Sequence, residues 1–543
     1  MQNIIFRRIL IIGATLLILL GLELGTDSSL LLNLPSELDV ISYLSQESDR
    51  EQLFLEAQRD YLLDQQDILQ DFTKKLNEQR EVILLDQQKI EEERLKIIEE
   101  AIKNAYTLGD RNKPQDYQNL FNDGIKHTFI VDFDSTEWQD LKDSMNDYNN
   151  QYGSYRSNEY HQVDVTYLGD EEEIYIQDVG IRTKGNIYSR YIPEDGSGNV
   201  IPVHYVLKFN ETFDAVEGTQ EYDWLKKREV FDLEQLIFKW NRVNDSTYIN
   251  ELYSYRMFKE AGVTIPEMSL SKFVIRIDGV VKMEELYTIQ EQMDEEFIRK
   301  HLQETPTSVV GDMYKVVWPG TLEPLYDNSD IGIREWETNY RPTYGLKTNT
   351  NIPNNFSNLR GFTTRLDSYS GIMLKNYLED KFDVDMFIRT LAVNVLVGNP
   401  DDYRGNANNY YLYFDENNFL TFLPFDYDNS MGEGWSGSPI FIDYTIGNDI
   451  YTWEGNGFGS NTDDIPLVEK ILEYEEYQIL YEGYLETFIA DGYFSETYYI
   501  NLFDTFERVY GDEFDMSYNK HDYISGKIDA VLEDIDYYRN ERD

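Results

Sequence analysis

The sequence contains no cysteine and only five histidines among 543 residues. The absence of cysteine excludes disulfides, thiolate zinc sites and cysteine nucleophiles, and no HExxH-like pair supports a histidine-based metalloenzyme. Basic residues are also scarce, because 48 Lys and Arg stand against 101 Asp and Glu and give a net charge of -53. A protein surface that binds the nucleic-acid backbone must be positively charged, so we expect no nucleic-acid partner.

The excess of acidic residues has two interpretations. A negative field attracts cations and basic proteins, but acidic residues also keep a surface soluble without any further function. The hydrophobic fraction of 41%, with 14% aromatic residues, is ample for a packed core and argues against disorder of the whole chain. A length of 543 residues predicts two or more regions.

The N-terminus carries a targeting signal. Arg7 and Arg8 precede an uncharged, mostly apolar run at residues 9–22, which is shorter than the roughly 20 residues of a full membrane span. The flank at residues 23–26 has no small-x-small cleavage site. We therefore predict an uncleaved signal anchor over residues 1–25, with a single pass through the membrane and the rest of the chain extracytoplasmic. Cleavage, which would secrete the protein, is the alternative.

A linker at residues 26–43 leads into a long helix at residues 44–108, where the sequence has neither proline nor glycine. One column repeats strictly every seven residues, which is typical of a coiled coil. Its members are Leu55, Leu62, Leu69, Leu76, Ile83, Ile90 and Ile97. The column three residues later is mostly polar, so the pattern predicts the helix but leaves two arrangements open. The helix is either the stalk of a homodimer or folds back on the globular region.

Residues 120–543 have mixed strand and helix patterns, so the predicted fold class is α+β. Strands are predicted at 128–133, 163–168, 174–184 and 203–209, and helices at 248–261, 384–396, around 465–490 and around 520–540. Residues 305–365 are rich in Pro, Asn, Thr and Gly. We interpret them as a long insertion or a loop between lobes.

A charged glycine turn closes one predicted strand. Arg182 and Lys184 precede Gly185. A glycine at this position allows the backbone to come close to a ligand, and the two cations suit phosphates. Ordinary hairpin chemistry is the alternative for such a turn.

A lysine and a glutamate follow on neighbouring predicted elements. Lys208 is the polar residue of the next strand and Glu251 lies on the helix after it. A strand lysine paired with a helical glutamate is how protein kinases hold nucleotide phosphates. The alternative is a solvated lysine and a surface glutamate.

Two polar turns rich in Asp and Asn frame an aromatic hairpin. Asp401 is followed by Asn408 and Asn409, and Asp426 and Asp428 come after the hairpin. Carboxylates and amides suit hard cations, and phosphoryl transfer needs one carboxylate to accept a hydroxyl proton and others to hold magnesium. The order Asp, Asn, Asp is that of the catalytic base and the two metal ligands in protein kinases.

Three runs of residues resemble the motifs of the spore-coat-protein-H (CotH) kinase family. They are R-x-K-G-N at 182–186, W-N…D-S…L…A-G-V-x-x-P over 240–266, and G-N-x-D…N-N-x-x-L-Y…P-F-D-x-D over 398–428. One departure is Phe425, where the family usually has tryptophan. The resemblance covers about residues 160–435. It implies an atypical protein-kinase-like, two-lobed domain over 120–543 with core motifs at 160–435 and a helical C-terminal part at 436–543.

The resemblance also implies an activity, namely ATP-dependent phosphorylation of Ser or Thr in secreted or cell-surface proteins of the spore-coat kind. By position, Asp401 matches the catalytic aspartate and Asp426 the metal-binding aspartate. Asn408 or Asn409, with Asp428, would complete the Mg²⁺ or Mn²⁺ site. Lys184 or Lys208 would neutralise the phosphates, with Glu251 as partner.

The substrate expected for this acidic kinase is a basic, Ser-rich protein. Two other functions stay open from the residues. The chain is either a catalytically inactive adhesion or scaffold protein of the same fold, or a surface module that calcium stabilises through the Asp/Asn cluster.

Overall fold

A computed structural model describes residues 115–542, apart from 171, 187–188, 303–308, 327–328, 435–444 and 454–464, together with residues 70, 73–75 and 89. The chain divides into two units, Met1–Arg94 and Leu95–Asp543. The predicted anchor (1–25) and linker (26–43) lie outside the described residues. So does the predicted stalk (44–108), except for residues 70, 73–75 and 89, which are helical. Within the described part of the chain, no helix combines the length and apolarity needed to cross a bilayer.

Seven strands close into a barrel in the order β1-β2-β3-β4-β5-β7-β6. The parallel pairing of β1 with β6 closes it, and the other neighbours are antiparallel. Side chains alternate along each strand, and the inward positions hold an aromatic core that includes Phe129, Phe238 and Phe273. The strands are β1 Thr128–Phe133, β2 His161–Leu168, β3 Glu173–Thr183, β4 Tyr205–Lys208, β5 Gln235–Trp240, β6 Met268–Ile277 and β7 Val280–Glu291.

Five further strands form a second sheet in the order β12-β11-β8-β10-β9. They are β8 Asp312–Val316, β9 Ile331–Gly332, β10 Tyr344–Leu346, β11 Tyr410–Phe414 and β12 Leu420–Pro424. The interpretation of residues 305–365 as an insertion or connecting loop is therefore wrong. Three of these strands come from that stretch, and β8 pairs directly with β11 of the aromatic hairpin.

Most of the helices contribute side chains to a second, larger hydrophobic core. They are α1 Gln115–Leu120, α2 Ser135–Tyr152, α3 Gln220–Lys226, α4 Asn250–Glu260, α5 Glu295–His301, α6 Ser357–Ser368, α7 Gly371–Lys381, α8 Val384–Val397, α9 Tyr403–Asn406, α10 Pro466–Ile471, α11 Glu475–Ala490, α12 Glu496–Tyr510 and α13 His521–Arg542.

The central helix of the second core is α8, in which every residue except Asp385 is buried. Its N-cap Asp383 accepts a hydrogen bond from the Met386 backbone N–H at 3.0 Å. Its C-cap Gly398 has φ +67°, and a Cβ there would meet the Tyr523 hydroxyl at 2.0 Å. The helix therefore stops at a glycine, and the polar turn that carries Asp401 begins there.

The mixed α+β class is confirmed. Strand β1 coincides with the predicted 128–133, and β2, β3 and α8 match their predicted spans within about two residues. The predicted helix at 465–490 is two helices, α10 and α11.

Candidate active site

A buried lysine joins the barrel to the polar turns. Lys239 on β5 contacts the Glu251 carboxylate of α4, and its Nζ lies 2.5 Å from Asp426 Oδ1. The Lys239 and Glu251 side chains are 6% and 10% exposed, whereas that of Asp426 is 33% exposed. A single ammonium therefore bridges two carboxylates, and the Asp426 carboxylate is the one that is partly exposed to solvent.

The pKa values of this trio reflect its burial and its charges. Burial opposes the charge on Lys239, but Asp426 and Glu251 together raise its pKa above the ordinary value. Burial raises the pKa of Glu251 to about 7, although Lys239 opposes the rise. Burial would also raise the pKa of Asp426, yet Lys239 and Lys184 hold it well below its usual range. Asp426 is therefore a carboxylate at neutral pH.

The sequence motif W-N…D-S explains how Glu251 reaches this position. The Asn241 side chain accepts from the Asp245 backbone N–H at 2.9 Å and donates to the Asp245 carbonyl at 2.7 Å. The Asp245 carboxylate in turn accepts from the Asn250 backbone N–H at 2.9 Å. These contacts fix the connection from β5 to the first turn of α4, where Glu251 lies.

Lys208 is not the partner of Glu251, which corrects the pairing expected from the sequence. Its Nζ lies 2.9 Å from Glu211 Oε2 and 5.2 Å from the centre of the Tyr160 ring. Strand register is the reason, since Lys208 pairs with Gln235 at the start of β5, about 13 Å along the strand from Lys239. One signal in the sequence points to Lys239, because it is a lone charge in an apolar strand immediately before the Trp240-Asn241 motif.

Asp401 is oriented by the asparagines that follow it. Its Oδ1 accepts hydrogen bonds from the Asn406 amide at 2.7 Å and the Asn408 amide at 3.0 Å. Its Oδ2 accepts from the Asn409 amide at 3.0 Å. Burial raises the pKa of Asp401 to about 6, against the opposing effect of the Asn408 and Asn406 hydrogen bonds. The result is a fixed carboxylate whose pKa suits proton transfer near neutral pH.

The residues expected to hold a metal divide into two groups. Strand β12 ends at Pro424, and Asp426 has φ +64°, so Asp426 and Asp428 do not lie side by side on a strand as two residues of one face would. Asp428 instead lies 3.3 Å from Arg242 and accepts from the Asn429 amide at 2.8 Å.

The two asparagines also differ. The Asn408 side-chain oxygen accepts from the Trp318 backbone N–H at 2.9 Å. The Asn409 amide nitrogen donates to the carbonyl and the carboxylate of Asp401, and among the described residues its side-chain oxygen has no hydrogen-bond donor. No group of three or more Asp, Glu or His residues in the described part of the chain forms a metal cluster. Magnesium takes one or two protein carboxylates and draws its other ligands from phosphates and water. Asp426 and Asn409 lie at neighbouring strand ends, since the Phe425 backbone N–H donates to the Asn409 carbonyl at 3.2 Å, and one carboxylate with one amide oxygen is a ligand set that suits this requirement.

Two lysines lie on the ring that precedes Asp426. Lys184 Nζ is 5.4 Å and Lys315 Nζ 4.6 Å from the centre of the Phe425 ring, so both cations interact with the face of this ring. Neither lysine forms an ion pair with a described carboxylate. Burial lowers the pKa of Lys184 to about 8, although Asp426 opposes this effect. Lys315, which comes from the misinterpreted 305–365 stretch, was not predicted from the sequence.

Gly185 and Arg182 complete the predicted glycine turn. Gly185 has φ +137°, and a Cβ there would meet the Ser189 hydroxyl at 2.8 Å, so the turn requires glycine. Arg182 donates to the Thr183 carbonyl at 3.1 Å, and its guanidinium lies 5.0 Å from the centre of the Tyr160 ring. Of the two cations in this motif, Arg182 and Lys184, only Lys184 is therefore placed beside Phe425.

Protein kinases pair a strand lysine with a helical glutamate and place two aspartates nearby. This chain has such a pair in Lys239 and Glu251, with Asp401 in a polar turn and Asp426 after a hairpin, so the site is kinase-like. The chain belongs to the CotH kinase family, since the model described as CotH kinase protein matches residues 207–543. The resemblance drawn from the motifs is thereby confirmed. The match contains Lys239 and both aspartates but begins after the 182–186 turn. No curated protein matches the chain.

Proposed function

We propose that the protein is an ATP-dependent protein kinase that phosphorylates Ser or Thr residues of secreted or cell-surface proteins. The observation that carries this proposal is the bridge from Glu251 through Lys239 to Asp426, together with an intact Asp401. A bridged lysine can neutralise nucleotide phosphates at a fixed position, as the lysine–glutamate pair of protein kinases does.

The residues divide the work of phosphate transfer. Asp401 accepts the proton of the substrate hydroxyl while that oxygen forms a bond to the γ-phosphorus and the bond from phosphorus to ADP breaks. The Asn406, Asn408 and Asn409 amides hold its carboxylate in place. Lys239 and Lys184 stabilise charge on the phosphate oxygens. Asp426 and Asn409 would hold Mg²⁺ or Mn²⁺, which supplies further neutralisation of phosphate charge when bound.

Incubation with γ-labelled ATP tests the proposal. The wild type, with Mg²⁺ or Mn²⁺ and a basic, Ser-rich protein, is expected to transfer label to itself or to that protein, and Asp426→Asn is expected to lose the transfer. Nucleotide binding without transfer under any of these conditions would instead favour the inactive scaffold.

Calorimetry separates catalysis from a structural calcium site. We expect metal binding to the wild type to be tighter with ATP than without it, because the metal bridges protein and phosphate. Tight binding of calcium without nucleotide, lost in Asp426→Asn, would support the structural site and reject the metal assignment.

The N-terminal segment supplies two further parts of the proposal. An uncleaved anchor at residues 1–25 would place the kinase-like domain outside the membrane, and protease added to intact cells is then expected to digest it. Pairing of residues 44–108 would make a homodimer. Charged residues in place of Leu69 and Leu76 are then expected to convert the dimer to a monomer in sedimentation, whereas a monomeric wild type would reject pairing.

A further inference from the structure

Six cations gather beside the active site, and no step of the proposed mechanism uses them. Three come from the segments before β2, on β3 and after β3, and three from the segment around β9 and β10. We call them the arginine cluster: Arg156, Arg182, Arg190, Arg334, Arg341 and Lys347. The cations are close enough to affect one another's pKa. Burial is the largest cause that lowers the pKa of Lys347, and the positive charges of Arg182 and then Arg334 lower it further. Arg341 acts in the same way on Arg334.

The segment that carries Arg334 is held in place. The Tyr148 hydroxyl of α2 donates to the Trp336 carbonyl at 3.1 Å, and Arg156 donates to the Asn339 side chain at 3.0 Å. The Arg334 guanidinium lies 3.3 Å from the centre of the Trp336 ring. Stacking on tryptophan fixes the plane of the guanidinium and leaves its N–H groups to point at a ligand.

Several of these N–H groups have no acceptor. Arg334 Nε, Arg334 Nη2 and Arg182 Nε are buried without a hydrogen-bond partner. No member of the arginine cluster forms an ion pair with any carboxylate that the structure describes. A buried donor without an acceptor is destabilising, and more so when it is charged. In a chain with 101 acidic residues, cations that stay unpaired at this cost indicate a site for an external anion.

The cluster adjoins the active site without coinciding with it. Lys315 connects the two, since it pairs with Gly345 of β10 and lies over Phe425, the residue before Asp426. The nucleotide phosphates would be held at Lys184, Lys239 and Lys315. The arginine cluster therefore offers a second position for an anion, and guanidinium groups fit phosphate and carboxylate with paired hydrogen bonds.

We propose that the arginine cluster is a second anion subsite, which binds a phosphoserine or an acidic side chain of the protein substrate close to the hydroxyl that is phosphorylated. This inference rests on the proposed kinase function. It also refines the expected substrate. The net charge of -53 attracts a basic protein as a whole, and the cluster then selects those of its serines that have an anion nearby. On a Ser-rich substrate, a phosphoserine made in one turnover would position the next serine.

Peptide binding to the full chain tests the subsite without turnover. Three labelled peptides would differ at one position near the acceptor serine, which is phosphoserine, glutamate or alanine. With Mg²⁺ and a saturating, non-hydrolysable ATP analogue, we expect the phosphoserine peptide to bind at least about tenfold more tightly than the alanine peptide, as charge-assisted hydrogen bonds imply. Arg334→Gln and Arg341→Gln are each expected to remove most of this preference. Arg365→Gln, an equal loss of charge at an exposed position of α6, is expected to keep it.

The variants remain informative if one of them fails to fold. Arg341 makes no hydrogen bond or ion pair with a described residue, so Arg341→Gln removes no internal contact of that kind, and circular dichroism and melting curves would verify its fold. Equal binding of all three peptides to the wild type would overturn the inference. A second result would also overturn the inference: the ATP analogue displaces the phosphopeptide, and Arg341→Gln binds the analogue more weakly. These two observations together would assign the cluster to the nucleotide. Inorganic phosphate that binds as tightly as the phosphopeptide would also overturn it, because no peptide would then be recognised.

The two proposals fail in different ways. Selective binding of the phosphopeptide by a wild type that transfers no phosphate would retain the subsite and reject the kinase. Phosphate transfer with equal KM values for the phosphoserine and alanine peptides would retain the kinase and reject the subsite.

Discussion

Replacing Lys239 with methionine removes the one ammonium that lies between Glu251 and Asp426. Methionine keeps most of the volume and the flexible stem of lysine, so the change is mainly one of charge. At an effective dielectric constant of about 20, two unit charges 2.5 Å apart attract by roughly 6–7 kcal/mol. The cost of burying the ions offsets much of this attraction.

The net effect on stability is the cost of leaving buried carboxylates without their partner, about 3–5 kcal/mol for a buried pair. Two features reduce it. Asp426 is 33% exposed, so water screens part of its charge, and Glu251, with a pKa of about 7, can take up a proton. We therefore expect a loss of about 3 kcal/mol, which for a domain of roughly 400 residues lowers Tm by about 3–4 °C.

The effect on activity is larger than the effect on stability. Loss of a preorganised cation at the phosphates is expected to lower kcat by about 100- to 1000-fold. Lys208→Met is the matched control, since the same substitution there breaks only a partly exposed pair with Glu211, worth about 1 kcal/mol or less. Melting curves and phosphate transfer would be measured for both variants. Loss of transfer in Lys208→Met with near-normal transfer in Lys239→Met would refute the reasoning and restore the pairing expected from the sequence.

Two other predictions concern pH and metal. Asp401 acts as a base only when ionised, and its pKa is raised to about 6, so kcat/KM is expected to rise with pH through about 6. Lys184, whose pKa is lowered to about 8, loses its charge above that pH, so kcat/KM is expected to fall there. A pH–rate profile with no limb near 6 would count against Asp401 as the base. Asp426→Asn is expected to abolish metal-dependent ATP binding in calorimetry, whereas Asp428→Asn should weaken it less because Asp428 is already paired with Arg242. Equal losses in the two variants would contradict this division of roles.

The elements that could be predicted from the sequence are those with a strong local pattern. Strand β1 alternates buried and partly exposed residues, and α8 is mostly apolar and bounded by Asp383 and Gly398. Such patterns specify structure with little help from distant residues. The motif spacing around Asp401 and Asp426 likewise predicts roles for these two residues, and those roles stay predictions.

The strands between residues 305 and 365 could not be predicted in the same way. Strands β9 and β10 are two and three residues long, and β8 gains its partner β11 from about 100 residues further along the chain. Their stability therefore comes from tertiary pairing, which a local pattern does not show. Lys315 and Arg334 lie in this stretch, so these two cations were missed with it, whereas Arg182 and Lys184 on β3 and the turn after it were named from the sequence.

The prediction that Lys208 is the partner of Glu251 was wrong for a related reason. A strand lysine followed by a helical glutamate fits both Lys208 and Lys239, and the register of β4 against β5 places Lys208 away from the site. Register depends on side-chain packing across the barrel, so the order of strand and helix alone does not choose between the two lysines, and the Trp240-Asn241 motif after Lys239 is the one signal that does.

Phosphate transfer by Asp401→Asn tests the central claim most directly. Asparagine keeps the size of the side chain and an oxygen for the Asn406 and Asn408 amides, but it cannot accept a proton from the substrate. With γ-labelled ATP and Mg²⁺ we expect transfer to fall by a factor of about 100 to 10,000, with ATP binding nearly unchanged. Asp380→Asn, at an exposed carboxylate of α7, should transfer at the wild-type rate. Transfer by Asp401→Asn at a rate near that of Asp380→Asn would contradict the account.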